Sequence, residues 1–248
     1  MMRRDDSPKD QVDDPRRRFL VRALSAGALA GAAGWNLEAL AGIFGNLPGK
    51  LPEGRSIFEL EGDVTINGKA ATKESLIQPG DVIKTGRGAK LIGVIGQDAL
   101  ILRANTELEI AGSKAARKFF RLVTGGMLAV FGKRKESFDV TTPVATIGVR
   151  GTGLYAESEP DKTYVCLCYG KVQVQAAAEP SQFETIVSQH HDAPRYVLAK
   201  PTQGQRIVPA GFIDHTDLEL ATLEALVGRE VPFKVSDTGE YLGPRREY

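Results

Sequence analysis

Short apolar runs separated by turn residues recur along most of the chain. Val64-Thr65-Ile66 alternates apolar and polar positions and runs into Asn67-Gly68, a pair that accepts positive φ at both turn positions and so predicts a hairpin. Pro79-Gly80-Asp81 predicts a second turn. Val82 to Thr85, Lys90 to Ile95, Ala99 to Arg103 and Glu107 to Ile110 follow as short strands. Strands at this spacing, with turns between them, argue against a parallel α/β sheet. They predict an all-β fold, an antiparallel β-sandwich or short β-coil of many short strands with one C-terminal amphipathic helix.

That helix is predicted at about residues 216–227. Thr216-Asp217-Leu218-Glu219 is a capping box, in which the Thr hydroxyl and the Glu carboxylate each satisfy an orphan backbone amide. Leu218, Ala221, Leu223, Ala225 and Leu226 give it an apolar side, Gly228 ends it and Pro232 prevents its continuation. It reads as a lid on the β domain, although a partner-binding helix has the same pattern.

The chain is organised around residues 138–174. Thr141-Thr142-Pro143 ends one extended run, Val144 to Val149 is apolar and β-branched, and Gly148, Gly151 and Gly153 fall where a chain bends tightly or packs backbone on backbone. Thr142, Pro143, Arg150, Gly151 and Thr152 are therefore expected to form a structural corner, with Arg150 tying neighbouring carbonyls. Arg150-Gly151-Thr152-Gly153 lacks the Gly-Lys-Ser/Thr ending and following helix of a phosphate loop. Tyr164 to Gly170 is apolar on both faces, which predicts a strand buried on both sides. Phe183 to Ser188 and Tyr196 to Ala199 are further apolar runs in the C-terminal part.

The corner, read as FDVTTPVATIGVRGTGLYAE and followed by YVCLCYGKVQVQ, resembles the core of the FecR domain, named for the iron-dicitrate signalling regulator. The segments EGDVTINGKA, IQPGDVIKTGRGAKLIGV and LVTGGMLAVFG are similar to its earlier strands, and the likeness spans about residues 56–176. Gln97-Asp98-Ala99 stands where the family often has Asp-Gly-Ser. The resemblance implies a non-enzymatic sensing module that binds a ligand or partner in the periplasm and passes on a signal. In family regulators a cytoplasmic anti-sigma segment precedes a membrane span. Here only about fifteen residues precede the first basic run, so a helical sigma-binding domain is not expected there.

Residues 1–15 are charged, proline-punctuated and without apolar periodicity, which predicts disorder. Arg16-Arg17-Arg18-Phe19-Leu20 then resembles the twin-arginine export signal, with Arg16, Arg17, Phe19 and Leu20 carrying the match. An Ala/Gly/Leu stretch from Ala23 to Leu37 has the length of a signal core and is short for a membrane span. The expected organisation is an export signal over 1–41, a Gly/Pro-rich linker over 42–55, a FecR-like β domain over 56–176 and a C-terminal extension over 177–248. The expected location is the periplasm, with anchoring to the inner membrane as the outcome if the signal is not cleaved.

Composition narrows the partners. The formal charge is +1, and residues 1–41 carry seven Lys/Arg and six Asp/Glu, which leaves 25 of each in the remainder. A neutral body excludes nucleic acid as the expected partner, since phosphate backbones select a basic stripe. The basic clusters Lys114/Arg117/Lys118/Arg121 and Lys133/Arg134/Lys135 read as solvated hairpin ends. The expected partner is a protein or small molecule of the periplasm, with a homo-oligomer left open.

No nucleophile elbow, His-Glu-x-x-His helix or Walker loop is present, so no catalytic residues are expected. The chemistry lies instead with Cys166, Cys168, His190 and His191. Residues i and i+2 of a strand face the same way, so both sulfurs converge, while their α-carbons sit at the outer limit for a disulfide. Adjacent strand histidines point apart, so one binds while the other turns outward. Thiolate plus imidazole selects a thiophilic metal such as zinc, copper or iron. Two cysteines packed as small hydrophobes, or a redox-active Cys-x-Cys pair, fit the same residues.

Overall fold

The computed structural model describes residues 47–111, 118–135, 138–236 and 239, with only the backbone at Lys118. The predicted export signal, including Arg16, Arg17, Phe19 and Leu20, lies outside the described residues, as do Lys114 and Arg117. Among the described residues no helix is long and apolar enough to cross a membrane.

The fold is all-β. Its strands are β1 (Ile57–Glu61), β2 (Val64–Ile66), β3 (Lys69–Ala70), β4 (Val82–Thr85), β5 (Lys90–Ile95), β6 (Asp98–Leu102), β7 (Glu107–Ile110) and β8 (Lys118–Val130). They continue with β9 (Phe138–Thr141), β10 (Ala145–Val149), β11 (Gly153–Ser158), β12 (Lys162–Ala176), β13 (Phe183–Ser188), β14 (Arg195–Thr202) and β15 (Gln205–Pro209). One helix follows, α1 (Asp217–Leu226).

Two long strands organise the rest. The first part of β8 pairs with β7 and β9, and its second part pairs with β6 and β11. β12 does the same, pairing with β11 and β14 before Gly170 and with β10 and β13 after it. Each strand thus passes from one sheet to another, and each does so at a glycine of positive φ, Gly125 (φ 83) and Gly170 (φ 98). One sheet runs β1-β5-β6-β8-β11-β12-β14-β15, and the other runs β3-β2-β4-β7-β8-β9-β10-β12-β13. Among the described residues all pairings are antiparallel except β8 with β9, a parallel pair that strand spacing alone did not reveal.

The period-2 alternation of the sequence becomes two cores. Leu91, Leu100, Leu102, Met127, Leu154, Val165 and Leu167 of the first sheet pack with Ile83, Leu108, Leu122, Val140, Ile147 and Val174 of the second. The intervening residues Ile92, Ile101, Leu128, Tyr155, Tyr164, Cys166 and Cys168 point to the other face of the first sheet, where α1 covers them with Leu220, Leu223 and Leu226. Burying each leucine contributes roughly 2 kcal/mol. The apolar double face of Tyr164 to Tyr169 is explained by this third layer.

The helix is fixed at its start. The Thr216 side chain accepts from the Glu219 amide, and the Glu219 carboxylate accepts from the Thr216 amide. Arg103 of the segment after β6 grips the same carboxylate through two nitrogens, at 2.6 and 2.9 Å. Burial pushes the Glu219 carboxyl up, but Arg103 and the Thr216 amide outweigh it and hold it below its ordinary value.

Candidate functional site

The segment from Thr142 to Thr152 carries the chain from β9 through β10 to β11. Thr142 is buried, and its hydroxyl oxygen accepts from the amides of Val144 and Ala145 and pairs with the Thr163 hydroxyl at 2.7 Å. That is a side-chain turn that closes β9 onto β10. Pro143 is exposed between them. Gly151 has φ +68, and a Cβ there would stand 2.8 Å from Lys133 Cγ; a Cβ on Gly153 would stand 2.4 Å from the Tyr169 ring. Gly148 has no such requirement, its nearest neighbour being 3.7 Å away. Arg150 is exposed, and among the described residues it is not seen to tie a buried carbonyl. The corner is held instead by backbone contact, including Phe131 N–H donating to Thr152 C=O at 2.8 Å and the close packing of Gly170 on Gly151.

The cysteine and histidine residues meet beneath α1. Cys166 and Cys168 lie on the outer face of β12 and are fully buried. Both histidines follow β13 in a bend, so the alternation of a strand does not apply to them. The bend is built by Asp192, whose carboxylate accepts from the amides of Gln189 (2.7 Å) and His190 (3.3 Å) and from the Ser188 hydroxyl. His191 takes φ 56, and its amide donates to Cys168 C=O at 3.0 Å, which pins the bend to β12.

His191 is buried, with Nδ1 3.5 Å from Cys166 Sγ. A residue that the sequence did not flag completes the group. His215, on the approach to α1, is buried and places Nε2 3.1 Å from His191 Nδ1. One donor atom from each of Cys166, Cys168, His191 and His215 lies within 4.8 Å of every other. His190 stands outside this group, its side chain 30% exposed and its Nε2 2.9 Å from both Asp217 oxygens. Asp217, which the sequence offered only as part of the capping box, is buried and also receives His191 Nε2 at 3.1 Å. His215 sits directly before the cap residue and Asp217 directly after it, so the helix start that the sequence did announce carries both.

Aromatic rings frame the cluster. His215 stacks on Tyr155 (centroids 4.6 Å, 24°), His191 meets Phe212 edge-on and His190 stacks on Phe233 at 4.0 Å. Burial pushes both thiols up. Cys166 is nevertheless held well below its ordinary value, because Cys168, His215 and His191 favour its thiolate. Cys168 lies well above its own, because burial and the neighbouring Cys166 both oppose a second negative charge. Chemically the group offers two sulfurs and two imidazoles to one buried point.

A cleft of about 860 Å3 adjoins the cluster on the side of His190 and Phe233. Phe131, Tyr169, Pro232 and Phe233 line it, with Lys133 and Arg229 among its polar groups. Glu224 is buried in its wall and is occupied by the Tyr169 hydroxyl and by Arg229 Nε. Arg229 Nη1 donates to Gln97 C=O at 2.7 Å, whereas the buried Nη2 has no hydrogen-bond partner among the described residues.

Residues 81–173 match the family model described as FecR protein. No curated protein matches the chain. Two crystal structures of a Parabacteroides distasonis protein assigned as an anti-sigma factor, at 2.50 and 1.65 Å resolution, are similar to it at 16% identity and a TM-score of 0.43. The alignment covers 52% of this chain and 58% of each of theirs, so this chain spans less than two thirds of their length.

Proposed function

We propose, from the match of residues 81–173 to the FecR family model, that the protein is a non-enzymatic sensing module of the periplasm that works by binding a ligand. The observation that carries the binding reading is the cleft beside the corner. Its volume, about 860 Å3, is in the range of small-molecule sites, and it joins apolar walls to Arg229, whose buried Nη2 has no hydrogen-bond partner among the described residues. An unpaired buried N–H costs about 1–3 kcal/mol, so Arg229 Nη2 favours any ligand that brings an acceptor to it. Lys133, exposed at the rim, adds positive charge, and Glu230 opposes a second negative group. The chemistry selects a small amphiphilic monoanion. The reading is non-enzymatic because the strongest nucleophiles, Cys166 and Cys168, are sealed from this cleft at 0% exposure.

Calorimetric titration of the full chain with octanoate should give saturable binding, and Lys133→Glu should weaken it ten-fold or more while leaving the melting temperature unchanged. Arg229→Gln should weaken it further. Absence of binding, or binding indifferent to both substitutions, removes the cleft from the function.

The periplasmic location rests on Arg16-Arg17 and Phe19-Leu20. Changing both arginines to lysine should leave the protein in the cytoplasm, as should deletion of the twin-arginine translocase. An undiminished periplasmic yield in either case overturns that location.

A further inference from the structure

We infer that Cys166, Cys168, His191 and His215 hold one structural zinc ion. The argument begins with where the protons are. The Ile213 carbonyl can only accept, so His215 Nδ1, 2.7 Å away, is the protonated nitrogen, and the neutral ring turns an Nε2 lone pair the other way. The Asp217 carboxylate accepts from His191 Nε2 at 3.1 Å, which leaves a lone pair on His191 Nδ1. Those two lone pairs face each other at 3.1 Å, and Cys166 Sγ stands 3.5 Å from the second of them. Two imidazole acceptors do not approach to that distance without something electropositive between them.

A proton satisfies one such contact. A Cys166 thiol donating to His191 still leaves the His215 lone pair without a donor. An imidazolium at His215 answers that contact but supplies nothing to Cys168, whose sulfur lies 3.8 Å from the Cys166 carbonyl and beside the Cys166 sulfur. One divalent cation at the common point answers all four donors together. It also neutralises thiolate charge, which would be costly at a site where all four residues are at most 3% exposed.

The separations fit a tetrahedral ion. With Zn–S near 2.3 Å and Zn–N near 2.05 Å, tetrahedral angles give S···N of about 3.6 Å and N···N of about 3.3 Å. The structure has 3.5 Å for Cys166 Sγ to His191 Nδ1 and 3.1 Å for His191 Nδ1 to His215 Nε2. Both ligating histidines give their other N–H to an oxygen acceptor, one a carboxylate and one a carbonyl, as the outer partners of metal sites do. Four protein ligands in a sealed pocket leave no open position, which is the arrangement of a structural zinc site. Such an ion joins β12, the bend after β13 and the approach to α1. It thereby fixes the C-terminal extension on the FecR domain, and with it the wall of the cleft that carries His190 and Phe233. This inference does not depend on what the cleft binds.

Full-length protein purified without chelators should contain one zinc per chain by elemental analysis. Cobalt-reconstituted protein should show the intense visible bands of a tetrahedral site and a thiolate-to-cobalt charge-transfer band of two sulfurs. Cys166→Ser, Cys168→Ser and His215→Ala should each lower affinity ten-fold or more, and His190→Ala should keep a full equivalent. Should the ligand variants fail to fold, the cobalt spectrum of the unaltered chain decides alone. Metal-free protein with no cobalt bands overturns the site, and so does a reversible thiol–disulfide change without metal. Stoichiometric copper or iron overturns zinc, and full loading of His215→Ala overturns the ligand set.

Discussion

Replacing Gly125 with alanine should destabilise the protein by about 3–6 kcal/mol, one of the two largest losses expected from any single substitution here. Three costs coincide. The residue has φ +83, where a Cβ costs roughly 1–2 kcal/mol. That Cβ would lie 2.4 Å from Thr106 Oγ1, 2.6 Å from Thr106 Cα and 2.7 Å from the Asn105 carbonyl, so backbone must move, at about 1–3 kcal/mol. Thr106 Oγ1 also accepts from Gly126 N–H at 3.0 Å and lies 3.2 Å from the Gly126 carbonyl, and displacing it forfeits about 1 kcal/mol of buried hydrogen bonding.

Gly88→Ala is the control, because Gly88 has φ +68 and open space around its missing Cβ, so only the conformational cost remains. Gly170→Ala should fall between them, since its Cβ would meet the Thr152 methyl at 2.9 Å and the Gly151 carbonyl at 3.0 Å, longer than the 2.4 to 2.7 Å contacts at Gly125. Urea denaturation of the three variants should rank them Gly125, Gly170, Gly88. Equal losses at Gly125 and Gly88 would mean that the passage of β8 between sheets does not depend on glycine.

This dependence explains what could be read from the sequence and what could not. Asn67-Gly68, Pro79-Gly80-Asp81 and the Thr216 capping box are local devices, decided within four residues, and each lies where the sequence placed it. The sheet crossings are not local. Gly125-Gly126 and Gly170 interrupt apolar runs in a way that reads as a turn or a weak strand, and only the partners of β8 and β12 show that each strand continues in another sheet. The cluster beneath α1 divides in the same manner. Cys166 and Cys168 share a face because of strand geometry, which spacing gives directly. His215 joins them because α1 folds back over that face, and no spacing connects it to β12. His190 and His191 were expected to diverge as strand neighbours, but the Asp192 bend turns both toward Asp217.

Asp98→Ala should cost about 3–5 kcal/mol, and the reason lies in a residue that composition alone misplaces. Arg134 belongs to a run of three basic residues that reads as a solvated hairpin end. In the fold its side chain is 13% exposed, pairs with the Asp98 carboxylate and lies over the Phe138 ring at 4.4 Å. Asp98, with a side chain 7% exposed, also accepts from Gly132 N–H at 2.9 Å. Burial pushes the Asp98 carboxyl up, against the opposing pull of Arg134 and the Gly132 amide, so desolvation consumes much of what the pair gains. The pair is therefore worth little net but is expensive to halve. Removing the carboxylate alone leaves a buried guanidinium and an orphan amide.

Arg134→Met alone should also destabilise, by leaving Asp98 charged against apolar neighbours. The double variant Asp98→Ala with Arg134→Met should recover most of the loss, because no uncompensated charge remains and methionine fills the space over Phe138. A double-mutant cycle by urea denaturation measures this directly. Additive losses across the cycle would show the two side chains to be independent, with Asp98 acting only through Gly132.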